Sequence, residues 1–273
     1  MNTYYINLES AEARRHFVEK NFRQYGDESG RLHRVEAVDA ARVVADAVPG
    51  KISDAEKACF LSHRRAIDCS RRDGTHSLIV EDDVRFGPST FKMLDRLGDA
   101  LDAFDIVFTN VIWGNIDGML RLFFLRRKLL RDGTIQVFDL KEGVFSGAMA
   151  YVVNARSKEK ILDLIDGLSS YELPYDLQLR DWGRREMVKA GVVFPFLTTP
   201  SSHSDHSTIQ PANFQVRDAA FNAYCKLMWM DFEQAQENPL GKLNELDASY
   251  FDEQSLFFGQ IISVLLSPNF VSK

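Results

Sequence analysis

Residues 77–83 read Ser-Leu-Ile-Val-Glu-Asp-Asp, a short apolar run that ends abruptly against three adjacent carboxylates. An uninterrupted run of this length suits a strand buried on both faces, inside a sheet that helices cover. In open α/β sheets, ligands collect outside the carboxyl ends of the strands. Glu81, Asp82 and Asp83 stand where such a sheet would present acids to a ligand. Neighbouring carboxylates repel, and each one that is buried without compensation costs several kcal/mol. A divalent cation relieves that repulsion, and hard cations such as Mg²⁺ or Mn²⁺ take carboxylate oxygens while keeping positions open for phosphates. The alternative is a solvated acidic turn in which Asp82 or Asp83 caps the next helix.

The rest of the chain alternates strand and helix patterns. Strands are expected at Thr3–Leu8, Arg31–Val38, Asp105–Thr109, Thr134–Leu140, Ala148–Val153 and Val192–Leu197. Helices are expected after an N-cap at Ser10, after the capping box Ser53-Asp54-Ala55-Glu56, near Ser89–Leu101, over Arg156–Leu168, and after Pro174-Tyr175-Asp176. This order predicts an α/β sheet with helices on both faces. Residues 1–210 would form the main domain and 211–273, more polar and helical, a C-terminal helical extension. With 273 residues and 45% hydrophobic composition the chain can bury a sizeable core.

Charge narrows the function. The formal net charge is -6, a poor basis for wrapping nucleic acid. Three cysteines, Cys59, Cys69 and Cys225, show no zinc-ligand spacing and read as reduced thiols. P-loop, HExxH and GxSxG patterns are missing. The N-terminus lacks a basic stretch followed by an apolar core, and no apolar run approaches the ~20 residues that span a bilayer. The expectation is a cytoplasmic protein. One basic amphipathic segment, residues 120–131 with Arg121, Arg126, Arg127, Lys128 and Arg131, suits peripheral contact with an anionic inner-membrane surface, or else packs on the domain with its arginines solvated.

A metal beside a diphosphate matches sugar transfer from a nucleotide sugar, where a Lewis acid neutralises the leaving diphosphate. At this point Tyr5-Ile6-Asn7-Leu8, Arg14-Arg15, Ala37-Val38-Asp39, the run from Glu56 to His63, Leu78 to Val84, Ser146 to Tyr151, and Pro174-Tyr175-Asp176 together resemble glycosyltransferase family 25. That family includes lipooligosaccharide galactosyltransferases of Gram-negative bacteria and collagen galactosyltransferases of animals. The resemblance covers about residues 1 to 210. The chain departs from it at Ala55, where members often carry Gly.

The resemblance implies a GT-A-type fold, a UDP-sugar donor, Mn²⁺ or Mg²⁺, and inversion at the anomeric carbon, with galactose as the family's common sugar and a saccharide or lipid-linked oligosaccharide as acceptor. It implies Asp83 as the first metal contact, with Glu81 or Asp82 on the ribose or on metal-bound water. Asn7, Leu8, Ala37, Val38 and Asp39 would hold the base and ribose, and Arg14 would reach a phosphate. Asp176 matches a Pro-x-Asp element and is the candidate base or acceptor-binding acid, although a first-turn aspartate can also serve only its helix. His203 or His206, in a late polar loop, would reach the metal or diphosphate, and Gly147 would let a substrate approach the backbone. His63 reads as a core histidine. The competing functional readings are a metal-dependent phosphoryl-transfer or hydrolytic enzyme and a catalytically silent nucleotide-binding scaffold.

Overall fold

The strand that ends in the acids lies third in a seven-stranded sheet. The computed structural model describes residues 1–26, 30–114, 116–205 and 215–232. Its first half runs β1 (Asn2–Asn7), α1 (Glu12–Tyr25), β2 (Leu32–Glu36), α2 (Ala40–Ala45), α3 (Asp54–Ser70), β3 (Ser77–Glu81), β4 (Val84–Phe86), α4 (Thr90–Leu97), α5 (Asp99–Asp102), β5 (Ile106–Phe108) and β6 (Ile112–Trp113). The second half runs α6 (Ile116–Asp132), β7 (Gln136–Asp139), β8 (Phe145–Ser146), β9 (Ala150–Val153), α7 (Lys158–Asp166), α8 (Tyr175–Arg184), β10 (Ala190–Phe194), β11 (Thr198–Pro200) and α9 (Gln215–Met228).

The main sheet has the order β2-β1-β3-β9-β5-β10-β7. β9 is antiparallel to both its neighbours, β3 and β5. The carboxyl ends of β1, β3 and β5 and the amino end of β9 therefore share one edge, which is where the site forms. Alternation along β3 divides the core. Ile79 faces one apolar cluster, with Phe60, Tyr151 and Tyr175, while Leu78 and Val80 face the other, with Val18, Phe86 and Leu94. All three are fully buried, each contributing roughly 1.5–3 kcal/mol of burial. The α/β class and the mixed sheet flanked by helices are as expected.

Local signals explain several boundaries. Ser53 Oγ accepts from Glu56 N–H at 3.3 Å and Glu56 Oε2 accepts from Ser53 N–H at 2.8 Å, so the capping box forms as read. Ser10 does not cap α1, whose N-cap is Ala11 with no side-chain bond. The helix expected over 89–101 is split at Gly98, which turns to φ +41°. The late strand starts earlier than read and stops at Phe194, because Pro195 has no N–H with which to continue the ladder.

The basic segment lies in α6. Met119, Phe123 and Leu129 are buried in the main core, so protein covers its apolar side. Arg126 is also turned inward and donates from Nε and Nη2 to Trp229 O at 3.0 and 2.7 Å. Burial lowers its pKa to about 10. Arg121, Phe124, Arg127, Lys128 and Arg131 stay exposed. α9, which the sequence reading assigned to the extension, supplies Ala223, Tyr224, Leu227 and Met228 to the same core. Residues 233–273 lie outside the described residues. Among the described residues, no helix is long and apolar enough to cross a membrane.

Candidate active site

Glu81 ends β3, and its N–H donates to Met149 O at 2.8 Å, which joins the acidic turn to the entry of β9. Asp82 and Asp83 form the two-residue link to β4, and β4 pairs antiparallel with β11. A strand therefore follows the acids, and they cap no helix.

The two aspartates differ in how they are held. Asp82 is 7% exposed; its Oδ2 accepts from Asn7 Nδ2 at 2.7 Å and its Oδ1 from Arg14 Nη1 at 3.3 Å. Burial raises its pKa against these two partners. Asp83 has weaker support. Arg14 Nη1 comes only to 4.0 Å of its Oδ2, and its buried Oδ1 has no hydrogen-bond partner among the described residues. Burial first, and the charge of Glu81 second, push the Asp83 pKa up to about 7. A buried carboxylate oxygen without a donor carries an unmet electrostatic demand. With Glu81 beside it, the donor set is all oxygen and suits a hard divalent cation.

Glu81 and Asp83 line an open cleft of about 440 Å³, with Arg14, Asn110, Gly147 and Asp176 among the other lining residues. This is within the size range of small-molecule sites. Asp176 sits in the first turn of α8, and its Oδ2 accepts from Gly147 N–H at 2.6 Å. Gly147 has φ +88°, a conformation that glycine takes without strain. The turn before β9 thus aims a backbone N–H at the carboxylate, and Asp176 Oδ1 has no bond competing with a substrate among the hydrogen bonds between described residues.

The other sequence candidates lie at the neighbouring strand ends and in the late loop. Asn7, 1% exposed, spends its side chain on Asp82, on Ala11 O and on Arg34, whose Nε donates to Asn7 Oδ1 at 3.1 Å. Ala37 N–H donates to Asn7 O, Val38 N–H donates to Ser62 Oγ, and the exposed Asp39 accepts from Ala41 N–H to cap α2. Asn7, Leu8, Ala37, Val38, Asp39 and Asp82 form the neighbouring ends of β1 and β2 with the acidic turn; they are not among the lining residues of the cleft. Arg14 Nη2 donates to His203 O at 3.0 Å, while the His203 ring meets Phe17 edge-on. His206 lies outside the described residues.

The cleft also holds residues to which the sequence reading gave no role. His63, read as a core histidine, is 1% exposed, yet its Nε2 is 3.4 Å from Glu81 Oε1. Its ring stacks on Tyr175 at 4.4 Å, nearly parallel. Cys59 lies one turn earlier on the same wall, and burial first, then Glu81, push its thiol pKa up. The spacing of Cys59 and His63 on one helix face was the available signal. Asn110, Phe221, Asn222 and Cys225 close other sides, and nothing local in the sequence marks them.

Residues 1–179, more than half of the chain, match the family described as glycosyltransferase family 25 (LPS biosynthesis protein). The class is therefore glycosyltransferase. More narrowly, the chain belongs to glycosyltransferase family 25. Similar solved structures include the nucleoside-diphosphate-sugar pyrophosphorylase from Vibrio cholerae RC9, at 11% identity, covering 70% of this chain and 72% of that one, with a TM-score of 0.34. Another is mouse xyloside xylosyltransferase 1 in its apo form, at 10% identity, covering 69% of this chain and 63% of that one, with a TM-score of 0.34. A comparison with curated proteins finds no match.

Proposed function

We propose that this glycosyltransferase moves a hexose, galactose in the first instance, from a UDP-sugar to a saccharide acceptor, with inversion and with Mn²⁺ or Mg²⁺ as cofactor. The acceptor class we favour is a lipooligosaccharide or surface glycan under assembly. The observation that carries the reading is Asp83, which lines the same cleft as Glu81 and Asp176 at the carboxyl edge of the sheet and whose buried Oδ1 has no hydrogen-bond partner among the described residues. Asp83 and Glu81 would hold the cation, with His206 as a further ligand. When bound, the cation supplies Lewis-acid neutralisation of the departing diphosphate.

The protein's own groups do the rest. Arg14, braced by Asp82 and His203 O, offers a guanidinium to a phosphate oxygen. The ends of β1 and β2, residues 7–8 and 37–39, would receive base and ribose, with Asp82 near the sugar hydroxyls. Asp176, held by the Gly147 N–H, accepts the proton of the acceptor hydroxyl. That oxygen bonds to the anomeric carbon while the bond to the diphosphate oxygen breaks, and the electron pair leaves with UDP. The exposed face of α6, with Arg121, Arg127, Lys128 and Arg131, is our candidate for peripheral contact with an anionic membrane on the cytoplasmic side; Arg126 is excluded by its bond to Trp229.

The test is UDP release across a panel of UDP-sugars with Mn²⁺, for the native protein and for Asp176→Asn. We expect one donor to be consumed, and the variant to lose about 10²–10⁴-fold in rate while still binding UDP. A rate unchanged in the variant removes Asp176 as base; no turnover of any UDP-sugar overturns the donor assignment.

A further inference from the structure

Two side chains on the cleft wall take no part in the reaction proposed above. Cys59 and His63 lie one turn apart on α3, where i, i+4 spacing puts both on one face. Glu81 meets them from the end of β3. The Cys59 sulphur, a His63 ring nitrogen and a Glu81 carboxylate oxygen all lie within 4.8 Å of one another. The other side of the imidazole is already fixed: Nδ1 is 3.0 Å from the Tyr151 hydroxyl, which is 3.0 Å from the Tyr175 hydroxyl, and the ring is stacked on Tyr175. A ligating histidine is typically held in this way, with one nitrogen engaged in a hydrogen bond and the other turned with its lone pair toward the ion.

We propose that Cys59, His63 and Glu81 form a binding site for a thiophilic divalent cation, Zn²⁺ above all, with its fourth position open to the cleft. Thiolate, imidazole and carboxylate together are a zinc donor set, and three protein ligands with one open position is the arrangement of an accessible rather than a structural zinc site. The hard cations suited to Asp83 prefer oxygen alone, so the two sites select different metals. A tetrahedral zinc centre sets sulphur and nitrogen ligands roughly 3.5 Å apart, so the group closes with a side-chain adjustment of about 1 Å. Binding releases the thiol proton to solvent. The inference rests on side-chain geometry; Glu81 is also a ligand of the oxygen site proposed above, so the two cations would compete for it, while the Cys59 and His63 contacts stand whether or not sugar transfer does.

Co²⁺ is the probe, because thiolate ligation gives it an intense near-ultraviolet charge-transfer band. Titrating the reduced chain with Co²⁺ should raise that band to saturation at one equivalent, and added Zn²⁺ should remove it. Cys59→Ser should lose the band, whereas Cys69→Ser, which alters the exposed thiol of the same helix, should keep it. As a readout that needs no variant, Zn²⁺ should slow alkylation of Cys59 in the native protein about tenfold or more, followed by peptide mass spectrometry. A native protein without the band, a Cys59→Ser variant that retains it, or an unchanged alkylation rate would each overturn the proposal.

Discussion

β3 has a buried charge at each end, and the protein treats the two in opposite ways. At the amino end Lys158, 1% exposed, donates from its ammonium to Ser70 O at 2.7 Å, Ser77 Oγ at 2.8 Å, Thr75 O at 2.9 Å and Asp73 O at 3.1 Å. Its three protons have four acceptors. At the carboxyl end Asp83 has a buried oxygen with no donor among the described residues, and Arg14 Nη1 stands 4.0 Å from the other oxygen. A saturated buried charge serves the fold, since its partners are spent on it. An unsaturated one destabilises the protein alone and becomes favourable only when a ligand completes it.

That contrast makes predictions of decreasing size. Replacing Lys158 by Met strands four oxygens, and we expect a loss of ~3–5 kcal/mol in urea unfolding. A loss near zero would remove the fold-building half of the contrast. Asp83→Asn should do the reverse and stabilise the protein in EDTA, by on the order of 2 kcal/mol at pH 7.5. The sign follows from the raised pKa. Below the unfolded carboxylate range the group is protonated in both states and costs nothing. As pH rises towards about 7 the unfolded state ionises first, so the native protein loses stability through that window. The gap between variant and native protein should widen over the same window; a gap independent of pH would show that Asp83 is not held protonated.

Gly147→Ala sharpens the comparison at the site. The added Cβ would meet Ile112 at an ordinary 3.7 Å, so the cost comes from φ +88° alone, ~1–2 kcal/mol. Because that residue's N–H orients Asp176, turnover should fall further than donor affinity, as separate kcat and KM measurements would show. Smallest is Ser53→Ala, which removes the side-chain cap of α3 and should cost ~1 kcal/mol with a matching shift in the urea midpoint.

Features carried by neighbours in the chain were legible in the sequence. The capping box of α3, the buried run of β3 and the acids at its end follow from residues a few positions apart. Features that need distant partners were not. The bonds from Asn7 and Arg14 to Asp82 join residues 75 and 68 positions apart. The apolar stripe of α6 was plain, yet periodicity cannot say whether protein or lipid covers it, and the partner that turns Arg126 inward is 103 positions away. The i, i+4 pair Cys59 and His63 was visible as spacing, but the arrival of Glu81 depends on how α3 packs on the sheet. The nucleotide-binding assignments at the ends of β1 and β2 came from family resemblance, and the hydrogen bonds of Asn7 to Asp82 and of Asp39 to Ala41 give them structural work as well.

The most direct measurement is calorimetric titration of UDP into the native protein and into Asp83→Asn, each with Mn²⁺ and with EDTA. If Asp83 and Glu81 hold a cation against the diphosphate, the native protein should bind UDP at least about tenfold tighter with Mn²⁺, and the variant should lose that advantage. Equal affinity in Mn²⁺ and EDTA, or an advantage kept in full by the variant, would contradict the assignment.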